Sequence, residues 1–198
     1  MLHKYYALTG IEAGVDEAGR GCLAGIVVAS AVILPKDVNI PTLNDSKQLS
    51  ALDRSELKEK IMEQAVSFAI GIASVEEIEK LNILQATYLA MHRAIEALNP
   101  VPELLLIDGN RFKPYANIPN LCIVKGDATY QSIAAASILA KQYRDEYMQS
   151  LAQMYPEYHW DKNMGYPTAQ HIEAIKQYGY TPHHRKTFVV KELIPTLF

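Results

Sequence analysis

The architecture of this chain is set by residues 14–25, which read GVDEAGRGCLAG. Residues 11–16 are mostly apolar and include β-branched side chains, which predicts a strand that ends at two adjacent carboxylates, Asp16 and Glu17. Because neighbouring residues of a strand point to opposite faces, the paired acids predict a strand end or a bulge. Small residues and Arg20 follow, so the backbone is open to a ligand that could use exposed N–H groups and the guanidinium as anion partners.

Strands and helices alternate along the rest of the chain. Further strands are predicted over residues 26–34, 68–73, 104–108 and 121–124. Helices are predicted over residues 51–65, 83–98, 132–154 and 168–179, with a capping box at residues 74–77. This order favours an α/β layer built on a mixed sheet.

Composition limits the class of protein. A length of 198 residues with 49% hydrophobic residues fits one domain with a sizeable core. The formal net charge of −3 argues against general affinity for nucleic acid or anionic membranes, although a local basic groove is still compatible with it. Cys22 and Cys122 lack a CxxC spacing, so neither a zinc knuckle nor a disulfide framework is expected. The longest apolar run, residues 24–34, is too short to span a bilayer, and no signal peptide is recognisable; we expect a soluble cytoplasmic protein.

Acidic residues stand where the predicted strands end. Asp16 and Glu17 end the first, Asp108 ends the strand before Gly-Asn, and Asp127 follows the last strand in KGDATY. Ligands of open α/β sheets gather at strand ends, and several carboxylates there need a cation to offset their repulsion. Oxygen ligands in this number suit Mg²⁺ or Mn²⁺, and two such ions about 4 Å apart can clamp a phosphoryl displacement.

Ordinary structural roles are the alternative for two of these acids. Asp127 alone is typical of a turn or helix cap, and Asp108 in IDGN is equally compatible with an Asp-Gly turn. The paired acids ahead of the glycines are harder to explain by structure alone. The stretch is neither a P-loop nor a GxGxxG fingerprint.

Six blocks of sequence now occur in a recognisable order. They are GVDEAGRG with the following LAG, NDSKQLS, LLLIDGN, KGDATYQSIAAASILAKQYRDEYM, MGYPTAQHIEAIKQYG and HHRKTF. In this order they resemble the bacterial ribonuclease HII family of type 2 ribonucleases H, over nearly the whole chain. The sister family, ribonuclease HIII, normally carries an additional N-terminal substrate-binding domain. Few residues precede the end of the first predicted strand here, so we expect ribonuclease HII to be the better match.

The resemblance implies an RNase H-like fold, in which helices flank a five-stranded mixed sheet. It implies one catalytic domain over residues 1–198, with a helical C-terminal extension from about residue 165. The family's metal-binding catalytic acids correspond here to Asp16, Glu17, Asp108 and Asp127. The loop that senses the 2′-hydroxyl corresponds to Gly19, Arg20 and Gly21, and the tyrosine that stacks on the junction sugar corresponds to Tyr166.

The activity implied is cleavage of the RNA strand of RNA–DNA hybrids and cleavage 5′ of single ribonucleotides embedded in duplex DNA. The resemblance implies that two Mn²⁺ or Mg²⁺ ions take part in the cleavage and that the products carry 5′-phosphate and 3′-hydroxyl ends. The implied role is the removal of ribonucleotides from DNA. These roles suit the residues, because a 2′-hydroxyl both donates and accepts hydrogen bonds and an aromatic ring offers a stacking platform. A monomer is expected.

Two peripheral features leave alternatives open. Lys47 in NDSK either contacts a DNA phosphate or is simply solvated. A replication clamp usually binds a C-terminal tail motif, and here the chain ends in ELIPTLF, which either docks on such a partner or packs on the core.

The chain departs from the family pattern at three positions. Cys22 and Ile26 stand where the family most often has proline, and Met164 stands where it often has lysine before Gly-Tyr. We interpret Cys22 as a small packing residue. Loss of a lysine that contacts phosphate would weaken binding and its salt dependence.

Two further charged groups are ambiguous. Residues 183–186, His-His-Arg-Lys, form a basic cluster that either helps to hold nucleic acid or is a solvated face. Asp145 is expected to pair with Arg144 or to lie at the surface rather than to bind metal.

Three rival functions remain. A metal-independent ribonuclease would use histidines such as His159 and His183 with the substrate's 2′-hydroxyl, and would give cyclic phosphates without inhibition by chelator. A non-catalytic nucleic-acid-binding module should lack at least one of the four acids, all of which are present. A metal-dependent phosphatase for small substrates would not need the glycine loop and Tyr166.

Overall fold

A computed structural model describes residues 2–38, 40, 43 and 51–193. Within these residues the strands are β1 (Glu12–Ala18), β2 (Val27–Ile33), β3 (Ser67–Ala73), β4 (Leu104–Asp108) and β5 (Asn120–Ile123). The helices are α1 (Ala51–Gln64), α2 (Val75–Leu81), α3 (Ile83–Glu96), α4 (Gln131–Met154), α5 (Trp160–Asn163) and α6 (Ala169–Tyr178). Lys47, the NDSK segment and residues 194–198 of the tail lie outside the described residues.

The five strands form one mixed sheet in the order β3-β2-β1-β4-β5. Strands β1, β2 and β3 pair antiparallel, whereas β4 pairs in parallel with β1 and β5 pairs in parallel with β4. The expected five-stranded mixed sheet flanked by helices is therefore present. This order puts the carboxyl ends of β1 and β4 side by side at the centre of the sheet.

The first strand runs further than its sequence suggested. We expected it to end or bulge at the paired acids, but β1 continues to Ala18 and stays in register with β2, with Asp16 opposite Ser30. Its other neighbour, β4, pairs with it only as far as Val15 opposite Ile107. Beside Asp16 and Glu17, β1 is therefore paired with β2 but no longer with β4. The backbone next to the acids is thus accessible on the β4 side, as it would be at a strand end.

Helices cover both faces of the sheet. Alternating side chains of β1, such as Ala13 and Val15, pack with α3 on one face. Ala18 of the same strand packs on Ala140 of α4 on the other face, where α1 also lies. This alternation decides which face each acid of β1 reaches.

The helical region after β3 contains two helices. The capping box is present, since Ser74 Oγ accepts from the Glu77 N–H and Glu77 accepts from the Ser74 N–H. Asn82, with φ of 70°, then ends α2, and its side-chain oxygen accepts from the Leu84 and Gln85 N–H groups to begin α3. The asparagine therefore both breaks and restarts the helical run.

The region after α4 is built around the buried Trp160. Of the basic cluster, His184 and Arg185 are buried, so these two residues form no solvated face, whereas Lys186 is exposed. A role of the cluster in holding nucleic acid stays a prediction. Asp145 is also buried, and it pairs with Lys141 and Arg54 rather than with Arg144. None of the helices within the described residues combines the length and apolar character needed to cross a membrane.

Candidate active site

Three of the predicted acids meet at the carboxyl ends of the central strands. Asp16 lies on β1, Asp108 ends β4, and Asp127 lies in a 3₁₀ turn, Gly126–Ala128, just ahead of α4. One carboxylate oxygen from each lies within 4.8 Å of the others. Asp16 and Asp127 are each only 4% exposed, so these charges are close together and shielded from water.

The parallel pairing of β1 and β4 explains this meeting. With Val15 opposite Ile107, the next residues of the two strands, Asp16 and Asp108, project to the α4 face side by side. Asp108 Oδ1 then accepts a 2.7 Å hydrogen bond from the Gly126 N–H, which fixes the turn that carries Asp127. The turn roles considered for Asp108 and Asp127 are thus compatible with membership of the cluster.

Glu17 leaves β1 on the opposite face and lies outside the three-carboxylate group. Its Oε1 accepts a 2.9 Å hydrogen bond from Arg20 Nη1. It nevertheless lines a cavity of about 310 Å³ with Asp108 and residues of α3. The two neighbouring acids of β1 therefore project to opposite faces of the sheet near the end of the same strand.

The electrostatics of the cluster are unfavourable without a cation. Burial, followed by the charges of Glu17 and Asp108, raises the pKa of Asp16 well above its usual value. Hydrogen bonds from the Ser137 hydroxyl and from the Glu17 N–H, the latter at 2.7 Å, offset this only in part.

Three of the four acids line a cavity of about 290 Å³ that also contains the predicted sugar-binding residues, whereas Asp127 is not among its lining residues. Asp16, Glu17 and Asp108 line it together with Gly19, Arg20, Gly21 and Tyr166. The Tyr166 ring is 40% exposed, so it is available to a ligand. Burial and the neighbouring Cys22 raise the pKa of the Tyr166 hydroxyl, which keeps its proton at neutral pH.

The glycine loop and the Tyr166 segment are in direct contact. The Leu23 N–H donates a 2.7 Å hydrogen bond to the Gly165 carbonyl. Cys22 is fully buried between them, as expected for a packing residue, and burial raises the pKa of its thiol. An unreactive thiol is the consequence.

Sequence reasoning missed several residues at this site. Ser137 and Lys141 also line the acid cavity, and their spacing of four on α4 could have revealed a shared face. Two buried arginines behind the loop, Arg144 and Arg185, were also missed.

Histidines do not line the acid cavity among the described residues. His183 makes an edge-to-face contact with Tyr155, with ring centroids 5.4 Å apart, and does not line the cavity of the carboxylates. The geometry gives no support to a histidine acid–base pair there.

Comparison with known proteins identifies the family. The family model for ribonuclease HII matches residues 13–192. A ribonuclease HII of Parabacteroides distasonis is 61% identical over 190 residues, which cover 96% of each chain.

Solved structures agree on the fold. The ribonuclease H2 of Pyrococcus horikoshii is 28% identical with a TM-score of 0.74, over 90% of this chain and 93% of that one. The RNase HII of Archaeoglobus fulgidus, solved in complex with PCNA, is 24% identical with a TM-score of 0.76, over 91% and 96% of the two chains. The five-stranded sheet with its flanking helices is thus an RNase H-like fold. The family model matches nearly the whole chain, and the Parabacteroides distasonis relative is 61% identical to it. Together these two findings show that the chain belongs to the ribonuclease HII family and is a ribonuclease H.

Proposed function

We propose that this ribonuclease H cleaves the RNA strand of RNA–DNA hybrids and the 5′ side of single ribonucleotides embedded in duplex DNA. Its products carry 5′-phosphate and 3′-hydroxyl ends, and its role is to remove ribonucleotides from DNA. One observation carries the proposal: the carboxylates of Asp16 and Asp108 share a cavity with the glycine loop and the exposed ring of Tyr166. Chemistry at phosphorus and recognition of a sugar are thereby adjacent.

The acid cluster suits two divalent ions, Mn²⁺ or Mg²⁺. All its ligand atoms are carboxylate oxygens, which hard cations prefer, and no cysteine or histidine belongs to the group found among the described residues. Asp16, Asp108 and Asp127 would hold the ions, with Glu17 reaching them from the other side of the strand. Bound there, such ions acidify water and stabilise the charge that develops on phosphoryl oxygens.

Protein groups around the acids select the sugar. The backbone of Gly19 and Gly21 can approach a ribose without side-chain clash, and a 2′-hydroxyl can both donate to it and accept from it. The Tyr166 ring provides the platform for the sugar, and its protonated hydroxyl can donate a hydrogen bond. Arg20, half exposed beside Glu17, supplies positive charge at the edge of the cavity.

The test uses a labelled DNA duplex that carries one ribonucleotide, incubated with the protein in Mn²⁺, in Mg²⁺ and in EDTA. Cleavage 5′ of the ribonucleotide that leaves a 3′-hydroxyl is expected with metal and is expected to be lost in EDTA. The variant Asp108→Asn should be inactive under every condition.

Each rival predicts a different result in this assay. Cleavage that survives EDTA, or cyclic phosphate ends, would favour the histidine mechanism. Binding without cleavage would favour the nucleic-acid-binding module, and hydrolysis of small phosphate esters alone would favour the phosphatase. Cleavage of a long hybrid but not of this duplex would keep the acid site and overturn the role given to Gly19, Arg20, Gly21 and Tyr166.

Other expectations stay predictions. The phosphate contact of Lys47 and clamp docking by the tail concern residues outside those described, although the Archaeoglobus relative is solved in complex with PCNA. The single catalytic domain, the monomeric state and the cytoplasmic location are likewise proposals. Sedimentation of the protein with and without a clamp would test the monomer and the docking together.

A further inference from the structure

Two arginines are buried behind the loop that joins β1 to β2, residues 19–26, of which the first three are the glycine loop. Arg144 of α4 and Arg185 are each only 1% exposed. The part of the chain that the structure describes provides no ion-pair partner for either guanidinium. A buried charge without a counter-ion is costly unless hydrogen bonds satisfy it, so the acceptors of these groups indicate what they are for.

Within the described residues, both guanidiniums donate their hydrogen bonds to backbone carbonyls. Arg185 donates to carbonyls of the loop alone, those of Arg20, Cys22, Gly25 and Ile26, at 2.9–3.2 Å. Arg144 donates to Ala24 at 3.0 Å and to Ile26 at 3.1 Å, and also to Met164 at 2.9 Å. The carbonyls of the loop are thereby turned toward the interior.

Arg144 differs from Arg185 because it joins two elements. One nitrogen bonds the loop at Ala24, and another bonds Met164, two residues before Tyr166. Its Cζ also lies 5.9 Å from the centroid of the Tyr166 ring. The planar guanidinium presents several donors in fixed directions, so it sets the separation of the elements that it bridges.

The fit between Arg144 and the loop is close. A Cβ atom at Gly19 would overlap the Arg144 side chain, so the loop backbone rests directly on it. The two arginines repel each other, and burial together with Arg144 lowers the pKa of Arg185 to about 10. Arg185 therefore remains charged at neutral pH despite its burial. The protein therefore keeps the charges of Arg144 and Arg185 buried next to each other behind this loop.

We propose that Arg144 is a positioning residue, which holds the glycine loop and the Tyr166 ring at the separation that a ribose requires. This inference rests on the proposed function, since it concerns the site where the sugar is read. Arg144 touches neither the acids nor the substrate; it acts through the backbone of the loop and through Met164. Its loss should therefore change the rate of the bound complex more than the affinity for the duplex.

The test compares Arg144→Lys with wild type on the duplex that carries one ribonucleotide. Lysine keeps the positive charge but cannot donate in three fixed directions. We expect kcat to fall by about tenfold to a hundredfold, as a misplacement of about 1 Å would cause, while KM changes by less than about twofold. Arg93→Lys is the matched control, because Arg93 also donates to a carbonyl but lies at the surface beside Glu77.

Two controls separate positioning from loss of folding. The fraction of folded protein is measured by circular dichroism under the assay conditions, and kcat is expressed per folded molecule. The rise in melting temperature on adding Mn²⁺ should match wild type, because the acids are untouched.

The outcomes divide clearly. An unchanged kcat in folded Arg144→Lys, or a change confined to KM, would overturn this inference while the proposed function stands. If lysine prevents folding, Arg144→Gln is used instead, and failure of both variants to fold even in the cold would assign Arg144 a purely structural role. A wild-type protein that cleaves neither this duplex nor a long hybrid would overturn the proposed function and the inference with it.

Discussion

Asp108 belongs to a cluster of three close carboxylates, whose mutual repulsion is expected to lower the stability of the metal-free protein. Its carboxylate is held within 4.8 Å of those of Asp16 and Asp127, and like charges at this distance repel. We predict that Asp108→Asn abolishes cleavage yet raises the free energy of unfolding of the metal-free protein by about 1 kcal/mol. The asparagine oxygen can still accept from the Gly126 N–H, so the turn is preserved. Urea unfolding in EDTA measures the change.

The same variant should lose much of the stabilisation that Mn²⁺ gives. A cation that binds only the folded protein raises the melting temperature, and the rise shrinks when a ligand is removed. Asp37→Asn, which removes an exposed acid from a distant turn, should respond to Mn²⁺ as wild type does. A lower stability of metal-free Asp108→Asn would contradict the repulsion inferred for this cluster.

Single residues also show where prediction from sequence succeeds. Asp16 and Asp108 could be placed together because each stands near the end of an apolar run, and parallel strand ends meet. The separation of Glu17 from Asp16 could not, because it depends on β1 continuing past its pairing with β4. Arg185 was predicted as part of a basic cluster together with its neighbour Lys186. The local sequence does not indicate that the arginine is buried while the lysine is exposed.

At the scale of elements, two glycines let helices approach the sheet. A Cβ at Gly14 of β1 would overlap the backbone of Ser132 in α4, and a Cβ at Gly71 of β3 would overlap that of Ala90 in α3. We predict that Gly14→Ala and Gly71→Ala each cost about 1–3 kcal/mol, because a helix must move away from the sheet. Urea unfolding of both variants measures this loss.

The change at Gly14 should slow catalysis more than the change at Gly71. Moving α4 from β1 shifts Ser137 relative to the Asp16 carboxylate. Moving α3 from β3 acts two strands away from that carboxylate and reaches the site only through the cavity that α3 shares with Glu17. Single-turnover cleavage at a temperature where both variants are folded should be slower for Gly14→Ala than for Gly71→Ala. Equal slowing in both would mean that α4 packing does not position the site.

Elements were predicted where the signal is local. The capping box at Ser74 and the start of α6 at Thr168 follow from side chains that cap their own backbone, and α6 ends at Gly179, whose φ of 81° favours glycine. The start of α3 at Ile83 was predicted, but the separate helix α2, which Asn82 ends at a φ of 70°, was not. Sheet order was also beyond the sequence, since β4 pairs with a strand about ninety positions earlier.

For the molecule as a whole, a buried chain of hydrogen bonds ties the C-terminal region to the site. The Thr181 N–H donates to His184 Nδ1 at 2.9 Å, so His184 carries its proton on Nε2, which lies 3.1 Å from His171 Nε2. His171 accepts there and also from Trp160, and its Nδ1 donates to the Tyr166 carbonyl at 2.9 Å. Every link in this chain requires both histidines to be neutral.

This chain predicts how the stability of the whole protein depends on pH. Burial, with the neighbouring His171, lowers the pKa of His184 from 6.5 to about 3, and burial also lowers the pKa of His171. Below about pH 6.5 the unfolded chain therefore binds protons that the folded protein refuses, so stability is lost as the pH falls. His184 alone should contribute a loss of about 2 kcal/mol between about pH 6.5 and pH 5.

Midpoints of urea unfolding across this pH range measure the loss of stability. His184→Gln should be less stable at neutral pH but lose stability less steeply as the pH falls. His92→Gln, which lies outside this chain of hydrogen bonds, should keep the wild-type slope. An equally steep decline in His184→Gln would place the acid sensitivity elsewhere in the fold.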